Sequence, residues 1–313
     1  MAENFADKLL AAIARKGAPV CVGIDPAYER LPAALAGADT DDGPGGQKRL
    51  AAMQAFCTRV LEMVAPIVPA VKLQSAYFER YAHRGVERYF RLVRRARELG
   101  LLTIGDVKRG DIGSTAAAYA RAHLAGDWAP DAITVNGYFG ADGLAPFVDV
   151  ARAGGQGIFV LVRTSNPSAQ RVQNVAVQPG EGPDNAAAVP FYVHLGREVA
   201  RLGDGEGLLG RGGRSCVGAV VGATAPEEAR RLRTVMPRQM FLVPGYGAQG
   251  ATAADCAAAF DADGTGAIVN ASRSVLYAHE QEEYAGLDWQ EAVARAARAF
   301  AQDIRDALRQ PGH

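Results

Sequence analysis

The sequence predicts an α/β fold, a single-domain (β/α)8 TIM barrel, on three observations: eight short apolar runs, helix-like stretches between them, and charged residues where several runs end. The runs are PVCVGI (19–24), PAVKL (69–73), LLTIGD (101–106), DAITVN (131–136), GIFVLV (157–162), CVGAVVG (216–222), QMFLV (239–243) and GAIVN (266–270). Each is short and rich in β-branched residues, as strands buried on both faces are. The helix-like stretches are 48–65, 85–99, 114–125, 142–153, 190–202, 226–236, 252–260 and 288–308. Strict alternation implies a parallel sheet, and eight repeats suggest closure over an open doubly wound sheet. A length of 313 residues suits one such barrel and does not demand a second domain.

Ahead of the first run, MAENFADKLLAAIARKG mixes acids and bases at helical spacing and has no signal-peptide core. No stretch approaches 18 uninterrupted apolar residues, so a cytoplasmic protein without a membrane partner is expected. Three inserted loops stand out. They are the Gly- and Asp-rich 36–47, the segment 163–189 after the fifth run, and the Gly-rich 203–215. The middle one leaves a strand C-terminus and so belongs to the catalytic face of a barrel.

Composition narrows the function classes. The 34 basic and 34 acidic residues cancel, which gives no reason to expect nucleic acid as a partner. Cys21, Cys57, Cys216 and Cys256 form no C-x-x-C pair, so a reduced compartment fits better than a disulfide framework. His83, His123, His194, His279 and His313 form no H-x-x-H or H-E-x-x-H pattern, and no metal site is expected. Tyr77, Phe78 and Tyr81 follow the second run and read as packing residues. Trp128 and Trp289 carry no functional signal.

The segment LLTIGDVKRGDIGSTAAAYA (101–120) is the most informative. Asp106 and Lys108 are i and i+2, so on a regular strand they share one face, which in a barrel is the interior near the mouth. Asp111 follows three residues on. Ionised groups are rarely buried unless paired, so a lysine between two acids suits an alternating array. The plainer alternative is a solvated, charged loop. Asp25 ends the first run and Lys72 lies at the end of the second. Asp25, Lys72, Asp106 and Lys108 thus come from three successive strand ends that converge on one mouth.

VGIDP, VKLQSAYFE, DVKRGDIGST, LVRTSNPSA, VPGYGAQG and IVNASRS, in this order over residues 19–277, resemble the orotidine 5′-phosphate decarboxylase family. D-x-K-x-x-D is shared with a wider barrel superfamily. D-x-K-x-x-D-I-G-S-T together with P-G-x-G-A-Q-G is far more specific. The length and inserted loops resemble the longer bacterial, monofunctional branch. The resemblance implies conversion of orotidine 5′-phosphate to uridine 5′-monophosphate without a cofactor.

Loops after strands seven and eight are the usual phosphate site of such barrels. Glycines there let backbone N–H groups approach an anion, Arg273 offers a planar fork of donors, and Gln249 can donate through its amide. The resemblance assigns Gln249, Arg273 and the backbone near Ser272 to phosphate. It assigns Ser165 to the pyrimidine ring, Pro244 to the ring pocket and Asp25 to the ribose hydroxyls. It gives Lys108 the cationic and proton-donating role, Asp106 a position near the departing carboxylate, and Lys72 the task of holding Asp106. It sends Asp111, Ile112 and Thr115 into a partner's site, which implies a homodimer with shared active sites. Asn136, at the end of the fourth run, is left without a role.

Two alternatives stay open at this stage. Sugar-phosphate lyases of the same superfamily, which resemble magnesium enzymes, share D-x-K-x-x-D but not the SNP and PGYGAQG segments. A catalytically inactive nucleotide-binding protein would usually have lost one member of the charged array.

Overall fold

The eight apolar runs all form strands, and the strands pair in chain order around a closed parallel barrel. The computed structural model describes residues 2–36, 46–178 and 187–310. The strands are β1 (Val20–Ile24), β2 (Ala70–Gln74), β3 (Leu102–Arg109), β4 (Ala132–Asn136), β5 (Gly157–Arg163), β6 (Ser215–Val221), β7 (Gln239–Pro244) and β8 (Ala267–Ala271). Closure is made by β1 against β8, with Val20 opposite Val269 and Cys21 opposite Asn270. β1, β6 and β8 are buried along their whole length, as parallel strands covered by helices must be.

Two irregularities interrupt the ladder. Between β3 and β4, Gly105 pairs with Ile133 but Arg109 pairs with Val135, so β3 carries extra residues. Between β5 and β6, Leu161 pairs with Val220 and Arg163 with Val221, two residues against one. Bulges of this kind re-aim side chains and are common beside active sites.

The helices on the outside follow the expected alternation, with boundaries within a few residues of those read from the sequence. The N-terminal helix Phe5–Lys16 is an addition to the eight repeats. Asn4 caps it by accepting from Ala6 N–H, and Gly17 closes it in the left-handed region at φ 71°. Phe5 packs edge-on to Phe159 at 5.8 Å, over the start of β5, where a side chain at Gly157 would strike the Phe5 ring.

Of the inserted loops, 203–215 is tied down. The Asp7 carboxylate accepts from the backbone N–H groups of Arg211 and Gly212, and the Asn4 amide donates to Leu208. Segment 163–189 contains the short helix Ala169–Gln173 and a two-residue ladder, Ala176–Val177 with Val189–Pro190; its residues 179–186 lie outside the described ones. Most of 36–47 lies outside them as well. All four cysteines are unpaired and buried. Phe78 and Tyr81 are buried, as their reading as packing residues expects.

Among the described residues the floor of the barrel holds one buried cation. Arg233, from the helix Pro226–Val235, donates to the carbonyls of Met236, Gln239, Ala259 and Gly266. Its guanidinium lies 3.6 Å from the centroid of the Phe241 ring. Burial pushes its pKa down to about 10, so it remains charged at neutral pH. Among the described residues no helix is long and apolar enough to cross a membrane.

Candidate active site

The C-terminal ends of the strands surround a cavity of about 400 Å3. Asp25, Lys72, Asp106, Lys108, Ser165, Pro244, Gln249, Ser272 and Arg273 all line it. Sequence reasoning singles out each of them. Asp111, Ile112 and Thr115 do not line this cavity.

Asp106 is the hub. Its Oδ2 accepts from Lys72 Nζ at 2.7 Å and Gln74 Nε2 at 2.9 Å. Its Oδ1 accepts from Lys108 Nζ at 2.5 Å and Thr134 Oγ1 at 3.0 Å. Lys72 Nζ also lies 3.8 Å from Asp25 Oδ1, so acids and bases alternate through space as Asp25, Lys72, Asp106, Lys108. The side chains of Lys72 and Asp106 are 7% and 8% exposed, whereas that of Lys108 is 48% exposed. Burial favours the neutral acid, but Lys72 and then Lys108 outweigh it and hold Asp106 well below the usual carboxylate range. For Lys72 burial favours the neutral amine, but Asp106 and Asp25 outweigh it and its pKa is raised. Both groups are therefore ionised at neutral pH.

The way Lys108 reaches Asp106 differs from the regular strand that the i, i+2 spacing suggests. Lys108 sits in the bulged stretch of β3 at φ 46°, the left-handed region that non-glycine residues rarely occupy. Such a conformation costs roughly 1–3 kcal/mol and persists only where its surroundings impose it. Thr134 helps impose it: its Oγ1 accepts from Lys108 N–H at 3.0 Å while donating to Asp106. One hydroxyl thus ties the strained backbone to the array.

The other side of the cavity is built differently. Arg273 begins the four-residue helix Arg273–Leu276 after β8, and its guanidinium donates to the Ala248 carbonyl at 3.2 Å. Gly245 and Gly247, with φ of 121° and 67°, shape the β7 loop that carries Gln249. Gly23 lets β1 pass close to this side, since a Cβ there would lie 1.9 Å from Ser272 Oγ. Asp25 Oδ1 and Asn270 Oδ1 are buried without a hydrogen-bond partner among the described residues. Acceptors left this way in a polar cleft suit a ligand rich in hydroxyls. Among the described residues no three His, Cys, Asp or Glu side chains gather as a metal site.

Sequence reasoning missed Gln74, Thr134, Asn270 and Tyr246, which also line the cavity. Gln74 and Asn270 each lie two residues from a residue already singled out, and that same-face spacing was the available signal. Thr134 was visible only as a hydroxyl inside a buried strand. Asn136, left without a role, turns outward and accepts from Tyr138 N–H.

Known proteins share this chain's sequence and its barrel. The sequence profile of the family "Orotidine 5'-phosphate decarboxylase / HUMPS family" matches residues 18–286. The orotidine 5′-phosphate decarboxylase of Rhodopirellula baltica is 41% identical over 312 residues, covering 96% of this chain and 99% of its own. That of Deinococcus radiodurans is 42% identical over 308 residues, covering 98% of each chain. The solved structure of Leishmania donovani OMP decarboxylase is similar with a TM-score of 0.71 at 26% identity, covering 97% of this chain and 99% of that one.

Proposed function

We propose, from the premise that this chain belongs to the orotidine 5′-phosphate decarboxylase family and converts orotidine 5′-phosphate into uridine 5′-monophosphate in pyrimidine biosynthesis, that Lys108 is the residue on which the chemistry turns. Loss of carbon dioxide leaves an electron pair at C6 in the plane of the ring, out of reach of simple π delocalisation. Stabilisation must then come from fixed charge near C6, followed by a proton. An ammonium supplies both. The observation that carries this reading is the contrast within the array: Lys72 is sealed in, whereas Lys108 is half-exposed in the cavity and bonded to a saturated Asp106.

In this reading Asp106 lies beside the substrate carboxylate. Two carboxylates about 4 Å apart repel by roughly 4 kcal/mol at an effective dielectric of 20, and departure of carbon dioxide relieves that repulsion. Preorganised stabilisation of the carbanion remains the larger contribution. Lys72 holds Asp106 ionised and in place. Asp25 accepts from ribose hydroxyls through the oxygen that has no hydrogen-bond partner among the described residues. Arg273, Gln249 and the backbone near Ser272 take the phosphate, Ser165 contacts the pyrimidine, and Pro244 lines the ring pocket. Binding energy at the phosphate, remote from C6, then lowers the barrier.

The working unit in this reading is a homodimer in which Asp111, Ile112 and Thr115 enter the partner's cavity. Exposed apolar side chains on one face support it. Ile112 is 59% exposed and Tyr138 78% exposed, and Phe139 next to Tyr138 is also open. The backbone carbonyl of Asp111 lies against Gly143, in the helix that follows Phe139, so these residues share one patch. Four buried, unpaired thiols fit a cytoplasmic location.

The test is the ultraviolet change of purified protein mixed with orotidine 5′-phosphate in the presence of EDTA. Conversion to the uridylate spectrum is expected. No conversion by folded protein, with activity restored by magnesium, would overturn the charge-only mechanism. For the dimer, mixing Asp111→Ala and Lys72→Ala subunits should restore activity, because one of the two mixed sites is intact. No recovery in proven heterodimers would remove the shared-site reading.

A further inference from the structure

Arg163 is a buried cation at the mouth that does not line the cavity, and the decarboxylation makes no direct use of it. Its side chain is 4% exposed. Leu161, two residues earlier, does line the cavity. On a regular strand both would face the same way. The bulge that sets Leu161 and Arg163 against the adjacent pair Val220 and Val221 re-aims Arg163 away from the cavity.

What Arg163 faces instead is a closed set of polar groups. Its Nε pairs with Glu228, from the helix after β6. Its Nη1 donates to the Thr164 carbonyl at 2.6 Å and to Gln173 Oε1 at 3.2 Å. Gln173 Oε1 also accepts from Thr164 N–H, and its Nε2 donates to Thr164 Oγ1. Thr164 Oγ1 in turn donates to Asn166 Oδ1 at 2.6 Å. Glu228 also accepts from Asn174. Ser165 is pressed against Gly222, where a Cβ would lie 3.0 Å from Ser165 Cβ. Gly222 N–H donates back to the Arg163 carbonyl at 2.8 Å.

We propose that Arg163, held by Glu228 and Gln173, is the positioning residue that fixes Thr164, Ser165 and Asn166 as the wall of the pocket for the pyrimidine base. The three lining residues are consecutive, and their backbone is pinned at Thr164 through both its N–H and its carbonyl. An irregular loop with an exposed Asn166 would otherwise sample several positions. Arg163 removes that freedom before substrate arrives. Its influence is confined to one end of the cavity, because none of its partners belongs to the phosphate loops after β7 and β8. This inference rests on the reading of Ser165 as a base contact, so the experiment measures that reading separately.

The experiment compares affinity for uridine 5′-monophosphate with affinity for ribose 5-phosphate, which lacks the base, in Arg163→Met, Glu228→Gln and Ser165→Ala, with kcat/KM measured alongside. Arg163→Met should weaken uridine 5′-monophosphate by about 10-fold or more, and lower kcat/KM at least as much, while ribose 5-phosphate binds as before. Glu228→Gln, which keeps the guanidinium and its carbonyl bonds, should move the same ratio by a smaller factor. It decides the matter if Arg163→Met does not fold. Equal weakening of both ligands, or of neither, would overturn the proposal. A base-selective loss in Ser165→Ala but not in the other variants would overturn it while sparing Ser165. A base-selective loss in Arg163→Met but not in Ser165→Ala would support it and move the contact to Thr164 or Asn166.

Discussion

Arg233 at the floor of the barrel and Lys72 at its mouth are both buried cations, yet their closest partners differ in kind. Arg233 donates to four neutral backbone carbonyls and lies on an aromatic face, with the Asp261 carboxylate farther off at 3.7 Å. Lys72 is compensated by two carboxylates, one of which also binds a second lysine. Carbonyl acceptors hold a guanidinium in place and ask for nothing further. Alternating full charges create a strong local field, and here one member of the series opens onto the cavity. The lesson is that a buried charge does not by itself mark chemistry. The kind of partner and the unsatisfied atoms beside it do.

The sharpest way to break the comparison is Lys108→Ala. It should lower kcat by at least about 10⁴-fold, combining lost charge stabilisation with lost proton supply. The thermal midpoint should hardly move, because the side chain is half-exposed. Turnover near the unsubstituted rate would end the role given to it. At the floor the pattern should invert. Arg233→Met leaves buried carbonyls without donors and should cost about 4 kcal/mol of stability. Thermal unfolding should reveal that loss, while turnover per folded molecule stays unchanged. A loss of kcat in protein that remains folded would show that the floor is not merely structural. Arg273→Ala belongs to the mouth but not to the array. It should lower kcat/KM by roughly 3 kcal/mol, the scale of a lost charged contact. Unchanged KM and kcat would remove the phosphate assignment.

The smallest effect separates the two regions from the outside of the barrel. His123 stacks on Phe90, and burial, with Arg109 second, pushes its pKa from 6.5 down to about 4. The unfolded chain therefore takes up a proton below pH 6.5 that the folded protein refuses until about pH 4. Stability should fall by at most roughly 3 kcal/mol across that window, and by less because solvent screens the part-exposed ring, and His123→Phe should flatten the slope. Asp106 has a depressed pKa, so its contribution is present above the ordinary carboxylate pKa of about 3.9 and lost only as pH falls further. Denaturant titrations at several pH values separate the two, and an unchanged slope in His123→Phe would refute the assignment.

The barrel was legible because strands buried on both faces must be apolar, and eight such runs punctuate the chain. The charged array was legible because Asp25, Lys72, Asp106 and Lys108 stand at the ends of runs that otherwise exclude charge. Arg163 was not, although it too ends such a run. Its direction depends on a bulge, and a bulge is a property of two paired strands. The backbone of Lys108 was hidden for the same reason. Thr134 and Gln74 are ordinary polar residues whose importance comes from meeting Asp106 across the sheet. The hold of Asp7 on the 203–215 loop joins residues some 200 positions apart, beyond any local pattern.

The four buried thiols carry a practical consequence. Cys21 lies in β1, Cys57 in the helix Gln47–Val64, Cys216 in β6 and Cys256 in the helix Ala253–Ala257. None can meet a thiol-reactive dye until its own part of the barrel opens. A native chain incubated with such a dye therefore acts as a clock with four hands. The order in which the cysteines become labelled would read out which sector of the closed sheet comes apart first, with no substitution made.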